Sequence, residues 1–204
     1  MDPIILEHGD DRHLVGLPDG TSRWLPRVTA VIARWFPFLQ PPEVLAIAGA
    51  RGTAVHRGTH IIDADPQGID WGTVDEPLVG YLQGYQKFLV ECVAAPIERE
   101  FPVFNLLQGY VGTTDGVYAM RFEKGGGGTS LLDVKSGMPL PTHALQTAAY
   151  EEPARKRFGS RKPLARHALY LKPDGGYKLV QHTDPRDYPA FLGLLQAYYW
   201  EQGK

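Results

Sequence analysis

The 204-residue chain is 43% hydrophobic and 22% charged, the composition of a water-soluble globular fold, and its length suits one domain. A net charge of -2 excludes the strongly basic character of a protein that grips many phosphates overall, and a single cysteine, Cys92, excludes an internal disulfide, a multi-cysteine zinc site and an iron-sulfur cluster held by this chain alone. There is no run of about 18 uncharged apolar residues and the acidic start MDPIILEHGDD lacks an apolar leader core, so an intracellular, cytoplasmic protein without membrane contact is expected.

In chain order, two short apolar stretches flank PDG and suit a small hairpin; LPRVTAVIARWF then predicts a short helix that stops before Pro37. Prolines at the entrance and apolar residues at helical spacing predict a helix over roughly 42 to 63. On it Gly52, His56 and His60 share a face. DEPLVGYLQGYQKFLVECVA predicts a second amphipathic helix that ends before Pro96, with Cys92 as a packed, inert thiol. Strands are expected at about 97 to 105, 110 to 122 and 129 to 135, the last two joined across EKGGGG as an antiparallel hairpin. THALQTAAYEEPARKRF returns to helical spacing, with Pro153 expected to end or kink it. Strands at about 166 to 172 and 177 to 182 straddle KPDGGY, and YPAFLGLLQAYYWEQ closes the chain as a helix. The expectation is a mixed α/β fold in which a central mixed β-sheet is flanked by helices. One domain covers 1–204, with 1–40 as an accessory hairpin and short helix and 41–204 as the core.

SLLDVKSG reads as the end of a buried strand, yet it places a carboxylate and an ammonium two residues apart. Strand side chains alternate, so Asp133 and Lys135 share one face while Leu132 and Val134 share the other. Pairing across the glycine tip brings GTTDGV opposite DVKSG, and a register that keeps their parity sets Asp115 beside both charges. Two neighbouring carboxylates repel unless a cation or a proton separates them. Lys135 supplies part of that charge; a hard divalent metal with oxygen ligands satisfies both acids better. Taken alone, D-x-K is an ordinary ion pair worth about 0–1 kcal/mol when exposed. Downstream, Gln146 and Tyr150 fall on one helix face at i, i+4. Six of the 21 Lys and Arg lie in ARKRFGSRKPLAR, which leaves the rest of the chain acidic. That stretch is either a solvated helix end or a phosphate-facing patch with Arg155, Arg157 and Lys162 as substrate contacts.

GTAVH, GTTD, DVK and QTAAY, in this order across residues 52 to 150, resemble the RecB-type branch of the PD-(D/E)XK nuclease superfamily. The resemblance implies a restriction-endonuclease-like core and a metal-dependent DNA nuclease. By position it implies His56, Asp115, Asp133 and the backbone carbonyl of Val134 as ligands for Mg2+ or Mn2+, with Lys135 orienting or helping to activate the attacking water. Glu100, with Glu98 as its rival, matches the acidic position before the first core strand. Gln146 and Tyr150 would steady the site and contact the nucleic-acid backbone. Thr114 stands where the superfamily name has proline and Asp133 where many members have glutamate, both usual in this branch. The lack of further cysteines separates the chain from relatives with an iron-sulfur cluster, and the lack of G-x-x-x-x-G-K-[ST] from those fused to a helicase. An exonuclease acting on DNA ends or single strands is expected. A structure-specific endonuclease and a non-catalytic nucleic-acid-binding module are the alternatives, and a homo-oligomer stays open. His56 and His60 also make H-x-x-x-H, a zinc spacing, but the glutamate of H-E-x-x-H is missing and Arg57 follows His56.

Overall fold

The structure, a computed structural model, describes residues 2–65, 67–121 and 128–203. The chain starts with three short antiparallel strands, β1 (Ile4–His8), β2 (Arg12–Gly16) and β3 (Ser22–Pro26). The expected hairpin around PDG is β2–β3; β1 is an additional strand whose mostly exposed side chains carry no apolar alternation. Val15 and Leu25 pack this small sheet against Val111. Helix α1 (Val28–Trp35) ends before Pro37. Helix α2 (Pro42–Ala64) has proline in its first turn, where a missing N–H costs no helical bond.

Helix α3 (Glu76–Cys92) runs without a loop into β4 (Val93–Asn105). The strand therefore begins before the expected residue 97 and contains Pro96. Its place in the sheet explains the tolerance: among the described residues β4 pairs with β5 (Tyr110–Met120) alone and is an edge strand, the position in a sheet where proline is tolerated. Strand β6 (Gly128–Lys135) pairs antiparallel with β5 and parallel with β7 (Ala165–Leu171). Strand β8 (Tyr177–His182) pairs antiparallel with β7 and completes the order β4-β5-β6-β7-β8. The tip expected between β5 and β6 falls mostly on 122–127, outside the described residues. The parallel β6–β7 pair requires a crossover, which α4 (Thr142–Arg157) supplies, and α5 (Asp187–Gln202) closes the chain. The fold is mixed α/β, a five-stranded mixed sheet between helices.

Alternation along β6 divides the core. Leu131 belongs to the layer that contains Tyr150, Phe191 and Leu195 from α4 and α5, whereas Leu132 and Val134 belong to the layer of Val55, Leu82 and Phe88 from α2 and α3. Gly58 lets the latter two helices approach, since a Cβ there would lie 2.5 Å from a Leu82 methyl. Pro153 neither ends nor breaks α4, which continues to Arg157. A proline deprives the carbonyl four residues earlier, here Ala149, of its helical donor; the Tyr110 hydroxyl donates to that carbonyl instead, at 2.8 Å. Among the described residues no helix is long and apolar enough to cross a membrane.

Candidate active site

The β5–β6 ladder runs from Met120 opposite Gly128 to Gly116 opposite Leu132 and stops there. Asp115 and Asp133 are the next residues on the two strands. Past this point β6 stays paired with β7 up to Lys135 opposite Tyr170, and the Val134 amide donates to Asp115 Oδ2 at 2.6 Å. A side chain thus takes over where the ladder opens. Asp133 is 2% exposed; its Oδ2 lies 2.8 Å from Lys135 Nζ, and its Oδ1 accepts from Gln146 Nε2 at 3.1 Å. Lys135 also donates to Gln146 Oε1 at 3.2 Å, and Gln146 Nε2 approaches the Tyr150 hydroxyl at 3.2 Å. From α2, His56 Nδ1 stands 3.5 Å from Asp115 Oδ1.

These side chains line one cavity of about 190 Å³, together with Gly112, Thr113, His13, Arg27 and Thr29. A Cβ on Gly112 would lie 2.3 Å from Tyr150 Cε1, so the first residue of GTTD is what admits the aromatic ring. His13, Arg27 and Thr29 come from β2 and the start of α1, and no sequence motif marks them. Their chain neighbours read only as a hairpin and a helix start; the packing of the small sheet against Val111 and the backbone bridge between Arg27 and Val111 bring them here. Arg27 is fixed by donating to the Asp10 carbonyl at 2.6 Å.

Burial pushes the Asp115 carboxyl above its ordinary range; His56 and Lys135 pull it back down, while the Asp133 charge adds to the rise. For Lys135, burial opposes the charged form, but Asp133 and Asp115 outweigh it and hold the ammonium above its ordinary value. Lys135 is therefore a fixed cation at neutral pH, suited to hold an anionic oxygen or a water rather than to take a proton. Burial also raises the Tyr150 hydroxyl, with the Asp133 charge adding to it.

The other sequence-predicted residues lie elsewhere. Glu100 is inside β4, at a φ of +34°, and its Oε2 is 2.9 Å from His60 Nε2. The β4–β5 ladder pairs Arg99 with Gly116 and Phe101 with Thr114 and skips Glu100 between them. Glu98 is taken by Arg157 in an ion pair. His56 and His60 thus face different acids, Asp115 and Glu100, and do not share a ligand position. Of the expected phosphate contacts, Arg157 is occupied by Glu98 and lies over Phe101, Arg155 pairs with Glu151 at 3.2 Å, and Lys162 is exposed in the segment after α4. None of the three lines the cavity, because α4 climbs about 1.5 Å per residue away from Gln146 before it reaches them. Val134, whose amide is taken up by Asp115 Oδ2, does not line the cavity. Helix α2 is anchored one turn beyond His60, where Asp63 accepts from the Tyr85 hydroxyl at 2.8 Å and the Tyr118 hydroxyl at 2.9 Å.

Among the described residues no three His, Cys, Asp or Glu side chains stand together at the spacing of a formed metal centre. The donor chemistry of the cavity nevertheless fits a hard divalent cation: two carboxylates, Asp115 and Asp133, and one imidazole, His56, line it, a set that Mg2+ or Mn2+ accepts. No family model and no curated protein matches the chain. Among solved structures, the crystal structure of SSO0001 is similar at 14% identity, over 83% of this chain and 81% of that one, with a TM-score of 0.31.

Proposed function

We propose that this chain is a cytoplasmic, metal-dependent DNA nuclease of the RecB-type branch, with a restriction-endonuclease-like core, that hydrolyses phosphodiester bonds from DNA ends or single strands. The observation that carries the reading is the convergence of His56, Asp115, Asp133, Lys135, Gln146 and Tyr150 in one cavity. An isolated salt bridge has no need of the second carboxylate, which costs repulsion. His56, Asp115 and Asp133 would hold Mg2+ or Mn2+. Bound there, the cation would supply an activated water and relief of charge on the phosphoryl oxygens.

The chain's own groups do the rest. Lys135, kept charged by both acids, binds a non-bridging phosphate oxygen or the incoming water and adds positive potential where negative charge grows. Gln146 accepts from Lys135 and donates to Asp133, which holds the directly paired acid and ammonium in one arrangement. Tyr150 fixes Gln146 in turn. Arg27, tied to the Asp10 carbonyl, offers a second cation in the lining of the same cavity for a flanking phosphate.

End-labelled single- and double-stranded DNA incubated with Mg2+, Mn2+ or chelator tests this. Wild type is expected to degrade DNA only with metal, and Lys135→Ala and Asp133→Asn to lose about a hundredfold or more in rate. Metal-dependent cleavage that survives both changes overturns the site, and binding without cleavage under any metal favours a non-catalytic binding module. A covalently closed circle separates the exonuclease from the structure-specific endonuclease reading.

A further inference from the structure

Beside the acid cavity lies a larger groove, of about 840 Å³, between the segment that joins α1 to α2 and the segment that joins β6 to α4. Phe36, Phe38 and Leu39 form one wall and are 51%, 61% and 91% exposed; Leu140 and His143 belong to the other. Lys135 and Gln146 line both the groove and the acid cavity. The groove is therefore open to the adjoining part of a molecule whose reacting group meets Lys135.

Large apolar side chains held in water at the mouth of a charged site mark a binding surface, and the volume falls in the range of about 300–1,000 Å³ typical of ligand sites. The two compartments ask for different chemistry in one ligand. The cavity holds a cation and two acids, which suits a phosphate with its metal; the groove offers aromatic rings and aliphatic carbon, which suits a flat apolar face. A nucleotide joins both. In a duplex the faces of a base are covered by its stacked neighbours, whereas an unpaired base presents them to aromatic side chains.

Resting on the nuclease reading, we propose that this groove seats the unpaired base next to the reacting phosphate, so that the substrate class is single-stranded DNA or a frayed end rather than an intact duplex. Phe36 and Phe38 supply the stacking surface and Leu39 and Leu140 close over the base edge. Selection for single strands then comes from the base's accessibility and requires no pattern of base-specific hydrogen bonds.

The test uses the full chain with Ca2+ in place of Mg2+ or Mn2+, a hard cation that takes the same oxygen ligands, so that the phosphate keeps a divalent partner while binding is read. Fluorescence anisotropy of a labelled single strand and of a blunt hairpin duplex is compared for wild type and for the double variant Phe38→Ala, Leu39→Ala, whose exposed positions leave the core intact. Wild type is expected to favour the single strand, and the double variant to lose about tenfold in affinity for it while its duplex affinity stays unchanged. A strand with abasic sites should bind wild type and variant alike. Equal loss on both DNAs, no loss, or no wild-type binding overturns the groove proposal, as does a variant that shifts from oligomer to monomer in light scattering, which assigns the groove to a second copy. The outcomes separate from the nuclease test: selective loss of single-strand binding without cleavage by wild type under any metal keeps the groove and removes the nuclease, and normal metal-dependent cleavage with unaltered binding in the variant does the reverse.

Discussion

Tyr150 can lie beside the acid pair only because Gly112 has no side chain. Gly112→Ala puts a methyl group into the Tyr150 ring, which overpacking costs at about 1–3 kcal/mol, and it moves the hydroxyl that holds Gln146. Activity is expected to fall by about a hundredfold, the order that a 1 Å displacement of a positioned group produces. Adding Tyr150→Leu should recover the denaturant midpoint without recovering the rate; recovery of both would mean that Tyr150 has no positioning role. Asp115, Asp133 and Lys135 were readable in the sequence because two local rules, side-chain alternation and hairpin pairing, suffice to bring them together. His13 and Arg27 obey no such rule. Their arrival depends on the packing of Val15 and Leu25 against Val111 of the other sheet and on the backbone bridge from Arg27 to Val111, and a lone histidine in a short strand has no signature. Glu100 was placed by resemblance and lies in the left-handed region instead, paired with His60, a conformation costly for a residue with a Cβ and sustained by its surroundings.

Among the elements, α4 departs most from local expectation. The sequence rule that proline ends a helix assumes that the orphaned carbonyl has no other donor, and the Tyr110 hydroxyl meets that need from β5. Tyr110→Phe leaves the Ala149 carbonyl buried without a partner, a loss of about 1–3 kcal/mol, or a fall in Tm of about 2–4 °C for each kcal/mol in a chain of this size. Pro153→Ala restores an amide that can reach Ala149, so the same tyrosine change should cost less in that background. If the two changes simply add, the hydroxyl's value lies in its contacts with Asn105 and Tyr188. The helices and the succession of the central strands along the chain were otherwise legible, since amphipathic spacing and glycine or proline punctuation are local. The junction of α3 and β4 was not, because nothing local shows that a strand will occupy a sheet edge where proline is harmless.

At the scale of the whole molecule, partial or full burial favours the neutral form of several histidines. His167 is 4% exposed and contacts Ser130 Oγ; burial, with His182 adding to it, lowers its pKa to about 4. Burial, with Lys135 adding to it, does the same for His143, to about 4. Because the folded value is below the unfolded one, this stability is fully present above about pH 6.5 and is lost as pH falls toward 4, at up to about 1.4 kcal/mol per pH unit for each group. Denaturant midpoints taken from pH 7.5 to 4.5 should decline, and His167→Gln should flatten part of that slope; an unchanged slope would mean that the acid limb belongs to other groups. The edge of the central sheet carries one more consequence. Among the described residues no strand pairs with β4 on its outer side, and an unpaired edge strand ordinarily recruits strands from other molecules. Pro96 and Pro102 interrupt its row of amide donors, so crowded copies of this chain meet there a border that cannot be extended. The same two residues that blur the reading of β4 as a strand keep it from seeding an intermolecular sheet.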